Sequence, residues 1–212
     1  TPNAGSVSSY EFNPSTKKLT FINSQKTNGE NPVYLSVNKN GKWLTTANYN
    51  DGSVSVFSLN ENGSIHPINQ FISFKDSSIN KERQSSSHIH STIFSPKEDF
   101  LFLPDLGADK IRCFQFDSSK NQPLIETQFP YTNTTLGSGP RHFTFHPNGK
   151  FVYCIEELSG TVSAYNYKNG KLDSLQRIST HSKKYDSVLS SADIHISPDG
   201  KYLYASNRSI EN

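Results

Sequence analysis

The sequence predicts an all-β protein built as a β-propeller, on three observations. One strand–turn–strand unit recurs along the chain, third and fourth strand-like runs follow it at matching offsets, and no segment sustains a 3.6-residue apolar period. Repetition of a four-stranded antiparallel unit is how a propeller is assembled from blades.

The recurring unit reads YLSVNKNGKWLTTAN, STIFSPKEDFLFLPD, HFTFHPNGKFVYCIE and DIHISPDGKYLYASN. Aligned on the aromatic residue after the turn, Trp43, Phe100, Phe151 and Tyr202 fall in register at spacings of 57, 51 and 51 residues. In each unit apolar and polar residues alternate, a cluster of Pro, Asn, Asp, Gly and Lys turns the chain, and alternation resumes, which is a hairpin pattern. The third strands are GSVSVFSL, DKIRCFQF and GTVSAYNY, and the fourth are HPINQFIS, QPLIETQF and KLDSLQRIS. The amino-terminal GSVSSYEFNPSTKKLTFI matches the outer half of a blade, and the last unit stops where a third strand would begin. The expectation is one propeller domain over residues 1–212, about four blades' worth of sequence, incomplete at its carboxy-terminal side.

Bulk properties bound the function. With 212 residues, 33% hydrophobic and 19% charged, the chain suits a single globular domain. A net charge of +2 supplies no basic field for a phosphate backbone, so nucleic acid is not an expected partner. No apolar run approaches the roughly 18–20 residues that span a bilayer, and the amino terminus shows no basic-then-apolar leader, so no membrane association is expected. Cys113 and Cys154 each lie in an apolar strand-like run and read as buried free thiols rather than a disulfide pair.

In a blade the innermost strand runs one way along the central channel and the next returns. The start of the first strand and the end of the second therefore meet at one rim. Ten positions before each anchor stand Val33, His90, Arg141 and Ala192, and six positions after stand Tyr49, Leu106, Glu157 and Arg208. A repeat retains its structural residues from unit to unit, so ionisable residues that break the pattern at equivalent rim positions call for another explanation. Two arginines and a glutamate at a channel mouth are costly unless they pair with one another or bind something. His90, Arg141, Glu157 and Arg208 are accordingly the candidate site residues. His88, Asp105, His142, Asp193 and His195 read first as hydrogen-bonding groups that lock blades together, and second as substrate contacts. His88 and His90 alternate along one strand without a third ligand implied, so no metal is expected. No Gly-rich phosphate loop, nucleophile elbow or Cys/His pairing occurs, and no cofactor is expected.

The strings SSHIHSTIFSP, PDLGADKI, GSGPRHFTFHPNGKFVYCIEELSGTV and ADIHISPDGKYLYASNR resemble successive blade motifs of the lactonase family of seven-bladed propellers. That family includes propeller-type 6-phosphogluconolactonases and carboxymuconate lactonizing enzymes. The resemblance runs in order along essentially the whole chain, with GPRH and the following ELS its most specific parts. It implies seven blades and a site of one histidine, two arginines and one glutamate, which fall on His90, Arg141, Glu157 and Arg208. Glu156 departs from the family, where asparagine is frequent; alternation sends its side chain to the opposite strand face from Glu157.

The activity implied is hydrolysis of a sugar-acid lactone, foremost 6-phosphoglucono-1,5-lactone, in the cytoplasm or else the periplasm or outside the cell. Glu157 would act as general base toward water and His90 as general acid toward the ring oxygen, or the reverse. Arg141 and Arg208 would hold the oxyanion or the phosphate. Two alternatives keep the fold: a carboxymuconate-type cycloisomerase, and a non-catalytic propeller that binds protein or carbohydrate on its rim.

Overall fold

The computed structural model describes residues 4–182 and 189–208. Its strands form antiparallel sheets that follow chain order. A two-stranded sheet comes first, of β1 (Ala4–Asn13) and β2 (Lys18–Glu30). Three four-stranded blades follow. The first is β3 (Pro32–Val37), β4 (Trp43–Asn48), β5 (Ser53–Leu59) and β6 (Ile65–Ser73). The second is β7 (Ile93–Phe94), β8 (Phe100–Asp105), β9 (Lys110–Phe116) and β10 (Leu124–Asn133). The third is β11 (Pro140–Phe145), β12 (Phe151–Glu156), β13 (Thr161–Lys168) and β14 (Lys171–Ser179). The pair β15 (Ser191–Ile196) and β16 (Leu203–Asn207) ends the described chain. The expected third and fourth strands of all three blades are present, and no helix among the described residues could cross a membrane.

The hairpin turns repeat atom for atom. The residue five before each anchor donates its N–H to the anchor's carbonyl, at 3.0, 2.8, 2.9 and 2.8 Å for Asn38, Ser95, His146 and Ser197. Each turn needs one left-handed residue, supplied by Gly41, Gly149 and Gly200; Glu98 occupies that slot in the second blade at φ 58°.

Burial explains why the strands read as they do. Every residue of β4 is buried, because a blade's second strand is covered on both faces by its neighbours. The cores therefore lie between blades. Trp43, Val54 and Val56 of the first four-stranded blade pack with Leu101, Leu103 and Phe114 of the second. Phe102, on the opposite face of β8, packs with Cys113, Phe143, Val152, Cys154 and Tyr165 toward the third. Both cysteines are free and buried in this second core, and burial pushes the Cys113 thiol up to about 12 and raises Cys154 well above its ordinary value.

One polar position repeats at the end of each second strand and ties it to strands nearby. Asn48 binds Ser53 and Ser55, and Asp105 takes two bonds from Arg112 at 3.0 and 2.8 Å. Glu156 accepts from Ser163, Thr161 and Arg177, and Asn207 accepts from Ser191 and Thr180.

Candidate active site

The rim is set by one hydrogen bond that recurs in each repeat. The residue six after the anchor donates its N–H to the carbonyl twelve before it: Tyr49 to Asn31, Leu106 to His88, Glu157 to Gly139 and Arg208 to Ser190, at 3.0, 2.9, 2.8 and 2.8 Å. Beside it each inner strand carries an extra residue. Pro140 pairs with Glu156 but His142 pairs with Ile155, leaving Arg141 without a cross-strand partner; Val33 is skipped in the same way between Pro32 and Tyr34. Between Ser191 and Ile194, and between Ile89 and Ile93, the inner strand is again one residue longer than its partner. A bulge re-aims the side chain it carries. The backbone of every repeat thus presents two side chains at the rim, and the sequence decides whether they carry chemistry.

Glu157 is the centre. Its side chain is 4% exposed, and Arg141 Nε donates to Oε2 at 2.9 Å while Arg208 Nη2 lies 2.8 Å from the same oxygen. A third guanidinium, Arg83, takes Oε1 at 2.7 Å. Arg141 is 13% exposed and spends Nη1 on the Ala192 carbonyl, whereas Arg83 and Arg208 are 42% and 49% exposed. Burial pulls the Arg141 guanidinium below its ordinary value and Arg208 adds to this, with Glu157 opposing. Hydrogen bonds to Tyr49 and Glu157 hold Arg83 above its own.

His90 lies beside this cluster, 8% exposed, with Nδ1 buried and without a hydrogen-bond partner. Burial, then the charges of Arg141 and His142, depress it to about 3, so the imidazole is neutral. Its ring meets Tyr49 edge-on at 5.3 Å and His142 at 5.2 Å. His88 stacks on Tyr49 at 4.4 Å and bonds the Tyr49 carbonyl through Nδ1. His142, held low by burial, meets Asp193 at 2.7 Å, and Asp193 meets exposed His195 at 2.9 Å. Burial raises Asp193, but hydrogen bonds from His142, His195 and the Ile194 N–H outweigh it and hold the carboxyl at about 2.

The structure brings His90, Arg141, Glu157 and Arg208 together from three successive repeats. His88 and His142 line the same rim, and Asp193 joins through His142. Asp105 is fully buried, with Arg112 and the His88 N–H on its carboxylate, and His195 lies farther out. Glu156 points away from Glu157 into its own buried network, as alternation requires. Among the described residues no three His, Cys, Asp or Glu side chains converge as a metal set. Sequence reasoning missed Arg83, which lies outside the repeat on the connection from β6 to β7. The available signal was the 57-residue spacing there, six longer than its successors.

Comparison with known proteins agrees with this architecture. The family described as "Lactonase, 7-bladed beta-propeller" matches residues 1–212. A Formosa agariphila protein named 6-phosphogluconolactonase is 46% identical over 96% of this chain and 58% of its own length. A Bacillus subtilis protein of the same name is 31% identical over 96% of this chain and 57% of its own. The structure of the Pseudomonas aeruginosa periplasmic gluconolactonase PpgL superposes with a TM-score of 0.93 at 34% identity, covering 97% of this chain and 58% of that one. The chain thus spans a little over half the length of these relatives. With the whole of its length matched and the blades in place, the chain belongs to the lactonase family of seven-bladed β-propellers.

Proposed function

We propose that the protein hydrolyses a sugar-acid lactone, 6-phosphoglucono-1,5-lactone before others, without cofactor or metal. The observation that carries this reading is Glu157 shared by three guanidinium groups beside a neutral His90 whose Nδ1 has no hydrogen-bond partner. One carboxylate among three cations leaves a surplus of positive charge, which suits an anionic substrate and the oxyanion of a tetrahedral intermediate. The names of the relatives point to the same substrate class. Two unpaired thiols accord with a cytoplasmic location.

In the proposed reaction His90 accepts a proton from water as its oxygen bonds to the lactone carbonyl carbon. Arg141, fixed by Glu157 and the Ala192 carbonyl, receives the oxyanion. Collapse breaks the bond to the ring oxygen, which takes the proton from His90, and the new carboxylic acid releases its own proton to solvent. Glu157 serves as the anchor that orients the arginines. This departs from both acid–base divisions expected from the sequence, because Glu157 has guanidinium donors on both oxygens, which leaves the imidazole of His90 to take and return the proton. Burial makes His90 a weak base first and the arginines second; an anionic substrate offsets the arginines' share and strengthens it.

The test is hydrolysis of 6-phosphoglucono-1,5-lactone by the full-length protein, corrected for spontaneous opening, beside Arg141→Ala. Removal of an oxyanion donor is expected to lower kcat by about 10²–10³-fold. No excess over spontaneous opening in the unmodified protein removes this substrate; an excess that survives the substitution removes the site.

A further inference from the structure

Arg83 lies on the longest described connection between blades, residues 74–92, against residues 134–139 at the next junction. From there it crosses to Glu157, 74 positions later in sequence, and also reaches the Tyr49 hydroxyl at 3.4 Å. The loop that carries it is rigidly held. Asn80 Oδ1 accepts from the backbone N–H groups of Glu82 and Arg83, and the Gln84 N–H closes onto the Asn80 carbonyl at 2.7 Å. Gln84 is fully buried, and its amide donates to the Leu106 carbonyl and to Asp109 Oδ1, both at 2.8 Å. Asp109 in turn accepts from the N–H groups of Gly137 and Gly139, two residues before Arg141. One buried carboxylate therefore fixes the segments that bear Arg83 and Arg141 relative to each other.

The three guanidiniums are not equivalent. Arg141 and Arg208 share Oε2, on the side of the last two repeats, while Arg83 holds Oε1 on the side of the Tyr49 hydroxyl. Arg141 and Arg208 together already exceed the charge of one carboxylate. Arg83 is the surplus cation, partly exposed and on a fixed loop, at a place separate from the buried arginine that receives the oxyanion. We propose that Arg83 is the specificity-determining residue of the site, gripping the phosphate dianion of a phosphorylated lactone and so favouring it over the neutral sugar lactone. This rests on the lactonase reading above.

The experiment compares full-length protein and Arg83→Ala on 6-phosphoglucono-1,5-lactone and on glucono-1,5-lactone. The expected loss in kcat/KM for the phosphorylated substrate, carried by KM, exceeds the loss for the neutral one by about tenfold or more. Arg83→Lys, which keeps the charge, recovers part of that KM. Equal losses on both substrates overturn the proposal and make Arg83 an orienting group for Glu157; no loss on either overturns it as well. If the unmodified protein opens neither lactone above the spontaneous rate, the lactonase reading fails by itself, and thermal stabilisation by inorganic phosphate decides the subsite. Stabilisation that Arg83→Ala loses sustains it, and stabilisation that Arg83→Ala retains, or none in either protein, overturns it.

Discussion

Glu157→Gln removes the one carboxylate that Arg83, Arg141 and Arg208 share while keeping its shape. The cost follows from burial. Breaking a buried ion pair by removing one partner costs about 3–5 kcal/mol, because the other charge is left unbalanced. Glu157 and Arg141, at 4% and 13% exposure, belong to that class. Arg83 and Arg208 are nearly half exposed, so solvent screens their share and each adds little. The lower end, about 3 kcal/mol, is the expected loss, a large fraction of the roughly 5–15 kcal/mol that stabilises a domain. Urea unfolding of the full-length variant measures it. The same reasoning predicts rescue: phosphate at a hundredfold excess over its dissociation constant returns about 2.7 kcal/mol if it binds only the folded cluster. A variant within about 1 kcal/mol of the unmodified protein would refute the claim that the pair is buried and strong. Destabilisation that phosphate does not relieve would refute the claim that the cluster is an anion site.

Other consequences are equally open to measurement. Histidine-labelled NMR should show no titration of His90 between pH 5 and 8, since it is depressed to about 3; a midpoint near 6.5 contradicts its burial among the arginines. Because the unfolded chain protonates this histidine near 6.5 and the folded one does not, stability should fall as pH drops from about 6.5 toward 3, by up to about 1.4 kcal/mol per pH unit from His90 alone. Gly107→Ala places a methyl 1.8 Å from the Ser86 carbonyl and should cost about 3 kcal/mol in urea unfolding; a neutral result means the loop can move aside. Glu156→Ala, which strips the carboxylate from Arg177, Thr161 and Ser163, should lower stability by about 2–3 kcal/mol yet leave kcat/KM of the folded protein within about threefold, separating it from its neighbour Glu157.

The blades were legible because each is written several times. An alternation too weak to trust in YLSVNKNGKWLTTAN alone becomes firm when three further segments repeat it, and the anchors Trp43, Phe100 and Phe151 each open a second strand. Arg141, Glu157 and Arg208 were legible as departures from that repeat at one rim. Arg83 was not, because a loop has no period and its partner lies 74 residues away. Nor does the sequence show that Asp105 is spent on Arg112: both residues fit a rim contact as well as a lock, and only the side-chain geometry chooses between them. The bulge at Arg141 was equally hidden, since a single unpaired residue leaves no mark on the alternation around it.

The two thiols of the interblade core have a practical consequence. Cys113 and Cys154 occupy one seam, between the second and third four-stranded blades, and neither presents a thiolate to solvent while that seam is shut. Reaction of either of these two thiols with an added reagent therefore times the parting of two neighbouring blades rather than sampling the surface. Every other residue of the described chain is silent to that reagent, so a cysteine introduced at the rim can be labelled selectively and the seam followed separately as a slow internal clock.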